Sequence, residues 1–467
     1  MLPIRTAAII TPTARIADAS GQHTIDLARA LQRMQAQVEV ICNYATGVMP
    51  DDIRAIARVD EQATYVPSRQ LTIVQYPVWF PLAERFRQTR GTAIFWYHGV
   101  TPPALWRTED GLQTMRISQK NSELAWHADL AVAASPFTAA ELTHNSGYPS
   151  ARIRVVPYTV NTSHLSRPPA PEILEALRTQ WQLHGKRVLL YVGRVAGNKR
   201  IDLLVDALAK LTPTYPDLVL LIVGDHDGPP SAQELTQWLR SQAQKLGVAD
   251  RVLFTGAKLD VAPYYHLADF FVHASQHEGF CIPLIEAMAA RVPIVASASG
   301  AMPWVLNAQT ESQASVGLTF TSGDADALAQ QVERLLTNST LCNTLIERGV
   351  RRIVEFDQAH FEQRVADVIA EATTFTHEKL IQPLSGDLYP PADVALHGYR
   401  VRSNLPLLGR LIEKVRTNST SHVKEAYLDR IIERQVRYNR LLADEVNRLH
   451  TEVAHLRMQL DELRGKL

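Results

Sequence analysis

Two glutamates flank a tight, glycine-containing segment in the stretch HEGFCIPLIEA at residues 277–287. Pro283 and the apolar residues after it favour a helix that begins at about residue 283. Glu278 is therefore expected in a loop, and Glu286 in the first turn of the helix. The positive end of the helix and the loop N–H groups predict an anion site, which Gly279 lets a phosphate approach closely.

A carboxylate on either side of a bound phosphate can accept hydroxyl groups. Glu286 is suited to the hydroxyls of a ribose and Glu278 to those of a sugar, which is the layout of a nucleotide sugar. The alternative is that Glu286 only complements the helix dipole and that Glu278 is a solvated turn residue. The spacing alone leaves both interpretations open.

Two basic residues follow a predicted strand in the stretch YVGRVAGNKR, which turns at Gly193. Arg194 and Lys199 can reach a diphosphate leaving group if the ligand binds at the carboxyl end of the strand, although such a pair is often only solvated surface. The next predicted strand ends at Gly224, in IVGDHDG. Its Asp-His-Asp resembles a metal-binding pattern, but cations already serve the phosphate, so no metal and no cofactor are expected.

Short apolar strands alternate with amphipathic helices along most of the chain, which predicts α/β domains with parallel sheets. Proline clusters near residues 157–171 interrupt this rhythm, so two consecutive domains are expected, at 1–170 and 171–355, followed by a closing helix at 356–372. The predicted strands are 6–10, 38–42, 71–76, 92–98, 128–135, 187–193, 218–224, 251–256, 269–275 and 292–297.

The composition excludes several classes of function. Lys and Arg total 48, as do Asp and Glu, so no overall charge attracts nucleic acid. The three cysteines show neither paired nor metal-type spacing, which fits a reducing compartment. The first ten residues predict a strand and lack the apolar length of a signal peptide, and no apolar run is long enough for a membrane span. A cytoplasmic protein is therefore expected.

The chain changes character after residue 372. Residues 373–423 read as a linker, and residues 424–467 carry a narrow heptad stripe that predicts a parallel homodimeric coiled coil. A lone helix packed on the body is the alternative. The two core positions are occupied by Ile432, Asn439, Val446, Val453, Leu460 and Leu467, and by Leu428, Gln435, Leu442, Leu449, Leu456 and Leu463.

The linker contains an amphipathic segment, LPLLGRLIEKVR at residues 405–416, with apolar residues on one face and basic residues on the other. Such a segment can lie on a membrane surface, which predicts peripheral contact at the inner membrane face. Docking onto the body or onto a partner is the alternative.

The blocks GRVAGNKR, FTGAKLD and YYHLADFFVHASQHEGFCIPLIEAMAARVPIVAS resemble the retaining, nucleotide-sugar-dependent glycosyltransferases of the family numbered four, also called group 1. YHGVTPP and HADLAVAASPFTAAEL, followed by RIRVVPYTVN, are similar to the acceptor-side domain of that family. The resemblance covers residues 4–372 and implies the GT-B fold, in which two Rossmann-like domains face a cleft.

The resemblance also implies roles for individual residues. Arg194 and Lys199 match the pair that binds the donor diphosphate, and Glu278 matches the acid that contacts the transferred sugar. Glu286 matches the ribose-binding acid, and His98 matches the histidine near the donor sugar. Backbone contacts to the sugar and the phosphate are implied for Gly279, Phe280 and Cys281, and the strand-end glycines Gly193 and Gly224 are also expected to bind the donor.

The implied reaction moves a sugar from a nucleoside diphosphate sugar to a hydroxyl of a sugar or lipid-linked acceptor and keeps the anomeric configuration. Surface polysaccharide or glycolipid assembly is the expected setting. The alternatives are a non-catalytic assembly module that presents the coiled coil, or a GT-B phosphorylase or epimerase.

Overall fold

The computed structural model describes residues 4–375, apart from residue 17 and residues 45–46, 107–108 and 309–313. The strands are β1 (Thr6–Thr11), β2 (Gln37–Cys42), β3 (Ala57–Val59), β4 (Leu71–Tyr76), β5 (Thr92–Tyr97), β6 (Leu130–Ala133), β7 (Ile153–Val155), β8 (Arg187–Val192), β9 (Leu218–Val223), β10 (Val252–Gly256), β11 (Phe270–His273), β12 (Ile294–Ser297) and β13 (Leu318–Phe320). The α-helices are α1 (Ala19–Arg33), α2 (Asp51–Arg54), α3 (Glu109–Lys120), α4 (Pro136–Ser146), α5 (Pro171–Gln180), α6 (Ile201–Leu211), α7 (Pro230–Lys245), α8 (Ala262–Leu267), α9 (Ile282–Ala289), α10 (Met302–Val305), α11 (Ala325–Thr337), α12 (Ser339–Arg352) and α13 (Gln358–Ala372).

The strands form two separate sheets, each with parallel pairing throughout. The first sheet has the order β3-β2-β1-β4-β5-β6-β7, and the second has the order β10-β9-β8-β11-β12-β13. In each sheet the order reverses beside the first strand, at β1 and at β8. Such a reversal opens a crevice at the carboxyl ends of the strands, where ligands of open α/β sheets bind.

The strands are apolar because helices cover both faces of each sheet. All six residues of β4 and all six of β9 are buried, as expected for central strands of a parallel sheet. Each helix that packs on a sheet buries one apolar stripe of its surface. In α6, for example, seven of the eleven residues are buried, and these include Leu204 and Leu208.

The last described helix returns to the first sheet. Phe361, Val365 and Ile369 of α13 are buried in the same hydrophobic cluster as Ile9 of β1 and Trp96 of β5. The chain therefore crosses between the two sheets twice, once before α5 and once after α12. The two crossings are joined directly, because the backbone N–H of Val160 donates to the carbonyl of Phe356 at 3.0 Å.

The two-domain α/β architecture agrees with the sequence prediction. The structure adds three short strands that the pattern did not predict: β3, β7 and β13. The helix expected to start at residue 283 begins one residue earlier, at Ile282. None of the helices between residues 4 and 375 has the length and apolar character that a bilayer crossing requires. The predicted linker, apart from its first residues 373–375, and the predicted membrane-surface segment and coiled coil lie outside the described residues.

Candidate active site

Glu278 lies in the loop between β11 and α9, and its carboxylate is held by two side chains. Lys199 Nζ donates to Glu278 Oε1 over 2.5 Å, and His273 Nε2 lies 2.9 Å from the same oxygen. The side chains of Lys199 and Glu278 are only 12% and 13% exposed. The structure therefore brings together two of the predicted site residues as a nearly buried ion pair.

The pKa of Glu278 shows which of two opposing effects prevails. Burial acts to raise the pKa of this carboxyl, but the charge of Lys199 and the hydrogen bond from His273 outweigh it, so the pKa lies well below its usual value. Glu278 is therefore ionised at neutral pH. An ionised carboxylate accepts hydrogen bonds strongly, which suits it to bind sugar hydroxyls.

The backbone around Glu278 is tied to the turn that carries Lys199. Gln276 N–H and Ser275 Oγ both donate to the carbonyl of Asn198, at 2.8 and 3.1 Å. On the other side, Gly300 has a φ of +60°, and a Cβ there would lie 2.6 Å from the carbonyl oxygen of Glu278. A glycine at position 300 is thus required by both the left-handed backbone and the close approach.

The start of α9 depends on an unusual residue. Cys281 adopts φ 81° and ψ 68°, a left-handed conformation that glycine normally provides, and α9 begins at the next residue. Glu286 is consequently the fifth residue of α9, and the prediction that it lies in the first turn is wrong. Its Oε2 accepts from Tyr265 Oη at 2.8 Å, and burial raises the pKa of its carboxyl despite this hydrogen bond.

The two predicted glycine turns pack directly against each other. A Cβ at Gly224 would lie 1.9 Å from the carbonyl oxygen of Gly193, so no side chain fits there. Arg194, which follows Gly193 in the chain, is exposed. No partner for its guanidinium is present in the part of the chain that the structure describes, so the cation is available at the carboxyl end of β8.

His98 lies at the end of β5, in a buried polar cluster of the first domain. Its Nε2 is 2.5 Å from Gln75 Oε1, and its Nδ1 is hydrogen-bonded to the hydroxyl of Tyr158. Burial, together with the neighbouring His23, keeps the pKa of His98 well below its usual range, so the ring is neutral. Its backbone carbonyl oxygen reaches the site: a Cβ at Gly279 would lie 2.4 Å from it.

The loop at 277–281 also contacts α4 of the first domain. Ser135 Oγ donates to the Gly279 carbonyl at 2.7 Å, and His277 Nε2 lies 2.9 Å from Glu141 Oε1. The ring of Phe280 packs on Tyr158, with 5.0 Å between centroids. The loop at 277–281 therefore lies between the two domains.

Sequence reasoning missed three side chains: His273, which contacts Glu278; Tyr265, which donates to Glu286; and Glu141, which contacts His277 next to Glu278. His273 and Tyr265 stand in aromatic stretches, FFVH and YYH, that read simply as core. His273 does stack on Tyr191, with ring centroids 5.4 Å apart, but its Nε2 points to Glu278. The sequence signal that could have indicated this contact is a histidine at the end of a strand, five residues before Glu278.

His273, Glu278 and Cys281 are the group of possible metal ligands found in the described part of the chain, with donor atoms within 4.8 Å of one another. Lys199 already occupies Glu278 Oε1, and burial keeps the Cys281 thiol protonated by raising its pKa well above the usual value. A cation would have to displace both the lysine and the thiol proton. In the Asp-His-Asp stretch, the carboxylate of Asp225 instead turns back over Gly228.

Comparisons with known proteins agree with the fold. Residues 175–352 match the family Glycosyl transferases group 1, and residues 20–164 match Glycosyltransferase Family 4. The chain is 35% identical over 136 residues to the lipopolysaccharide core biosynthesis mannosyltransferase LpsB of Rhizobium meliloti, which is 29% of this chain and 37% of that protein. It is 30% identical over 220 residues to a GDP-mannose-dependent phosphatidylinositol monomannoside mannosyltransferase of Mycolicibacterium smegmatis, covering 45% and 54%. The chain thus spans only about a third to a half of the curated relatives it matches.

Solved structures share the architecture at low sequence identity. Anabaena Alr3699/HepE in complex with UDP aligns with a TM-score of 0.63 at 18% identity, over 78% of this chain and 99% of that one. WaaG, a glycosyltransferase involved in lipopolysaccharide biosynthesis, aligns with a TM-score of 0.57 at 16% identity, over 78% and 99%. These likenesses extend the agreement from the matched segments to the whole two-domain fold.

Proposed function

Because this chain belongs to the group 1 glycosyltransferases, we propose that it transfers a sugar from a nucleoside diphosphate sugar to a hydroxyl acceptor with retention of configuration. The observation that carries this proposal is the buried pair of Lys199 and Glu278 beside the start of α9. The pair puts an ionised acid and a cation where a sugar and a phosphate can lie side by side.

Each residue then has a role that follows from its chemistry. Lys199 and the exposed Arg194 stabilise the negative charge that grows on the departing diphosphate, together with the positive N-terminal end of α9. Glu278 accepts sugar hydroxyls, and Glu286 accepts the ribose hydroxyls after exchanging its bond with Tyr265. The cations serve the leaving group, so the reaction as proposed requires no metal.

The substrates follow from the relatives only as a class. The relatives include mannosyltransferases of lipopolysaccharide core biosynthesis and of a phosphatidylinositol monomannoside. A hydroxyl on a surface glycan or a lipid-linked sugar is therefore the proposed acceptor. The site of action is proposed as the cytoplasmic face of a membrane.

The first test is a panel of UDP-glucose, UDP-galactose, UDP-N-acetylglucosamine and GDP-mannose. A bound donor should raise the melting temperature by mass action. Turnover of that donor should fall at least about 100-fold in Glu278→Gln and in Lys199→Ala, as expected for a lost charge contact in the transition state. Asp217→Asn, which removes a surface pair with Arg187, is the control and should keep full turnover.

Two results would contradict the proposal. One is near-normal turnover in both variants. The other is the absence of binding and turnover with every donor, which would favour the non-catalytic assembly module. Retention is tested separately by following the anomeric proton of the first-formed product by NMR.

A further inference from the structure

A histidine of the second domain and a glutamate of the first form a nearly buried contact beside the proposed donor site. His277 Nε2 lies 2.9 Å from Glu141 Oε1, and the two side chains are 6% and 10% exposed. His277 directly precedes Glu278 in the chain, and Glu141 lies within α4. The contact therefore joins the acceptor-side domain to the backbone of the residue proposed to bind the sugar.

The surroundings fix both partners. Phe137, one turn before Glu141 on α4, packs edge-on against the His277 ring with 5.5 Å between centroids. The carbonyl of His277 lies 3.2 Å from Ser275 Oγ, whose one proton is shared with the carbonyl of Asn198, so contacts within the second domain also hold the loop. The ring thus has little freedom to leave the carboxylate while the two domains are together.

Three chain segments, at Gly99, Glu141 and Gly279, pack closely together at this contact. A Cβ at Gly99 would lie 3.3 Å from Glu141 Oε2 and 3.4 Å from the Cα of Gly279. The second carboxylate oxygen of Glu141 is buried, and no hydrogen bond of normal geometry reaches it from the described residues; the pKa of the nearby Tyr97 hydroxyl is raised first by burial and then by the Glu141 carboxylate. Burying a carboxylate in this state is costly, so the contact with His277 stabilises it when the domains close.

We propose that Glu141 is a positioning residue, which holds the loop of Glu278 in its working place through His277 when the domains are closed. This inference rests on the proposed function for its kinetic consequence, but not for the contact itself. The Ser135 bond to the Gly279 carbonyl, 2.7 Å long, acts on the same loop from the N-terminal cap of the same helix. One helix of the first domain therefore sets the geometry of the loop at 277–281 in the second.

The test compares Glu141→Ala, His277→Ala and the double variant by hydrogen–deuterium exchange of the full chain. Exchange in peptides that cover 274–281 should rise at least about threefold in each variant, while peptides within α6 stay as in the wild type. The control is Glu175→Ala, which breaks an exposed His–Glu pair within the second domain, at His184. Unchanged exchange at 274–281 in Glu141→Ala would overturn the proposal.

Steady-state kinetics of the same variants provide a second test of the proposal. With a donor that the wild type turns over, each single variant should lose about tenfold or more in kcat with less than a threefold change in KM. The double variant should be no slower than the worse single variant, since both remove one contact. If the two losses multiply instead, the residues act independently and the proposal fails.

Two precautions keep the outcomes distinct. If Glu141→Ala does not fold, Glu141→Gln replaces it, because the amide keeps the shape and removes the charge. If the wild type turns over no donor of the panel, the proposed function fails, and the exchange at 274–281 alone decides for or against the interdomain contact.

Discussion

Replacing Lys199 with methionine should destabilise the second domain mainly because Glu278 loses its cation. The two side chains are almost fully buried, and Lys199 is one of two partners of this carboxylate, His273 being the other. Removing one member of a buried pair costs about 3–5 kcal/mol. Because His273 remains, we expect the lower end, about 3 kcal/mol, or a fall of roughly 6–12 °C in the melting temperature of a domain of this size.

The dependence on pH follows from the sign of the shift. In the wild type the pKa of Glu278 is depressed, so its contribution to stability is complete above the ordinary glutamate value of 4.5 and is lost only below it. Without Lys199, we expect burial, the largest single influence on this carboxyl, to outweigh the hydrogen bond with His273 and to raise the pKa of Glu278. The deficit of Lys199→Met should therefore shrink as the pH is lowered from 8 to 5, because a protonated carboxyl tolerates burial.

Urea unfolding followed by tryptophan fluorescence at pH 5 and pH 8 measures both effects. The double variant Lys199→Met/Glu278→Gln should recover most of the loss, since neither group is then charged. Lys210→Met, which breaks an exposed pair with Asp326, is the matched control and should leave stability unchanged. The reasoning is refuted if the losses of Lys199→Met and Glu278→Gln simply add, or if the deficit grows on acidification.

Three further substitutions follow from the geometry. Asp26→Asn should stabilise the protein above pH 6, by about 1–2 kcal/mol, because burial raises the pKa of Asp26 to about 6 and its charge is unfavourable in the fold. If the difference in urea midpoint between Asp26→Asn and the wild type is the same at pH 4 and pH 8, this reasoning is wrong. Glu286→Gln should raise the melting temperature at pH 7 yet weaken donor binding at least tenfold by calorimetry, since burial disfavours the charge that the ribose needs. Gly224→Ala should lower the free energy of unfolding by more than about 3 kcal/mol, because its Cβ clashes with Gly193. The control Gly185→Ala, whose Cβ meets nothing within 4 Å, should cost only about 1 kcal/mol for the positive φ. Similar urea midpoints for the two variants would disprove the close approach of Gly224 to Gly193.

The sequence was sufficient for the two sheets because buried parallel strands are apolar along their whole length, and β9 is an example. It was also sufficient to place Glu278 in a loop, since Gly279 and Pro283 limit the possible conformations. It placed Glu286 wrongly because a cysteine gives no warning of a left-handed backbone at residue 281.

Other features depend on contacts between distant residues, which a local pattern does not contain. Lys199 and Glu278 were each assigned to a substrate, and nothing in their spacing of 79 positions indicated that they would pair with each other. Likewise, the amphipathic period of α13 predicts one buried face but does not say which sheet that face covers. The contact between Glu141 and His277 belongs to the same class.

The return of α13 to the first sheet has a mechanical consequence. Two stretches of backbone run between the domains, and a hydrogen bond from Val160 to Phe356 fastens them side by side. Two adjacent backbone connections let one domain rotate about the line that joins the connections, but they restrict twisting of one domain relative to the other. We therefore expect any relative motion of the two domains to be a hinge-like opening and closing, which would expose and cover the proposed donor site.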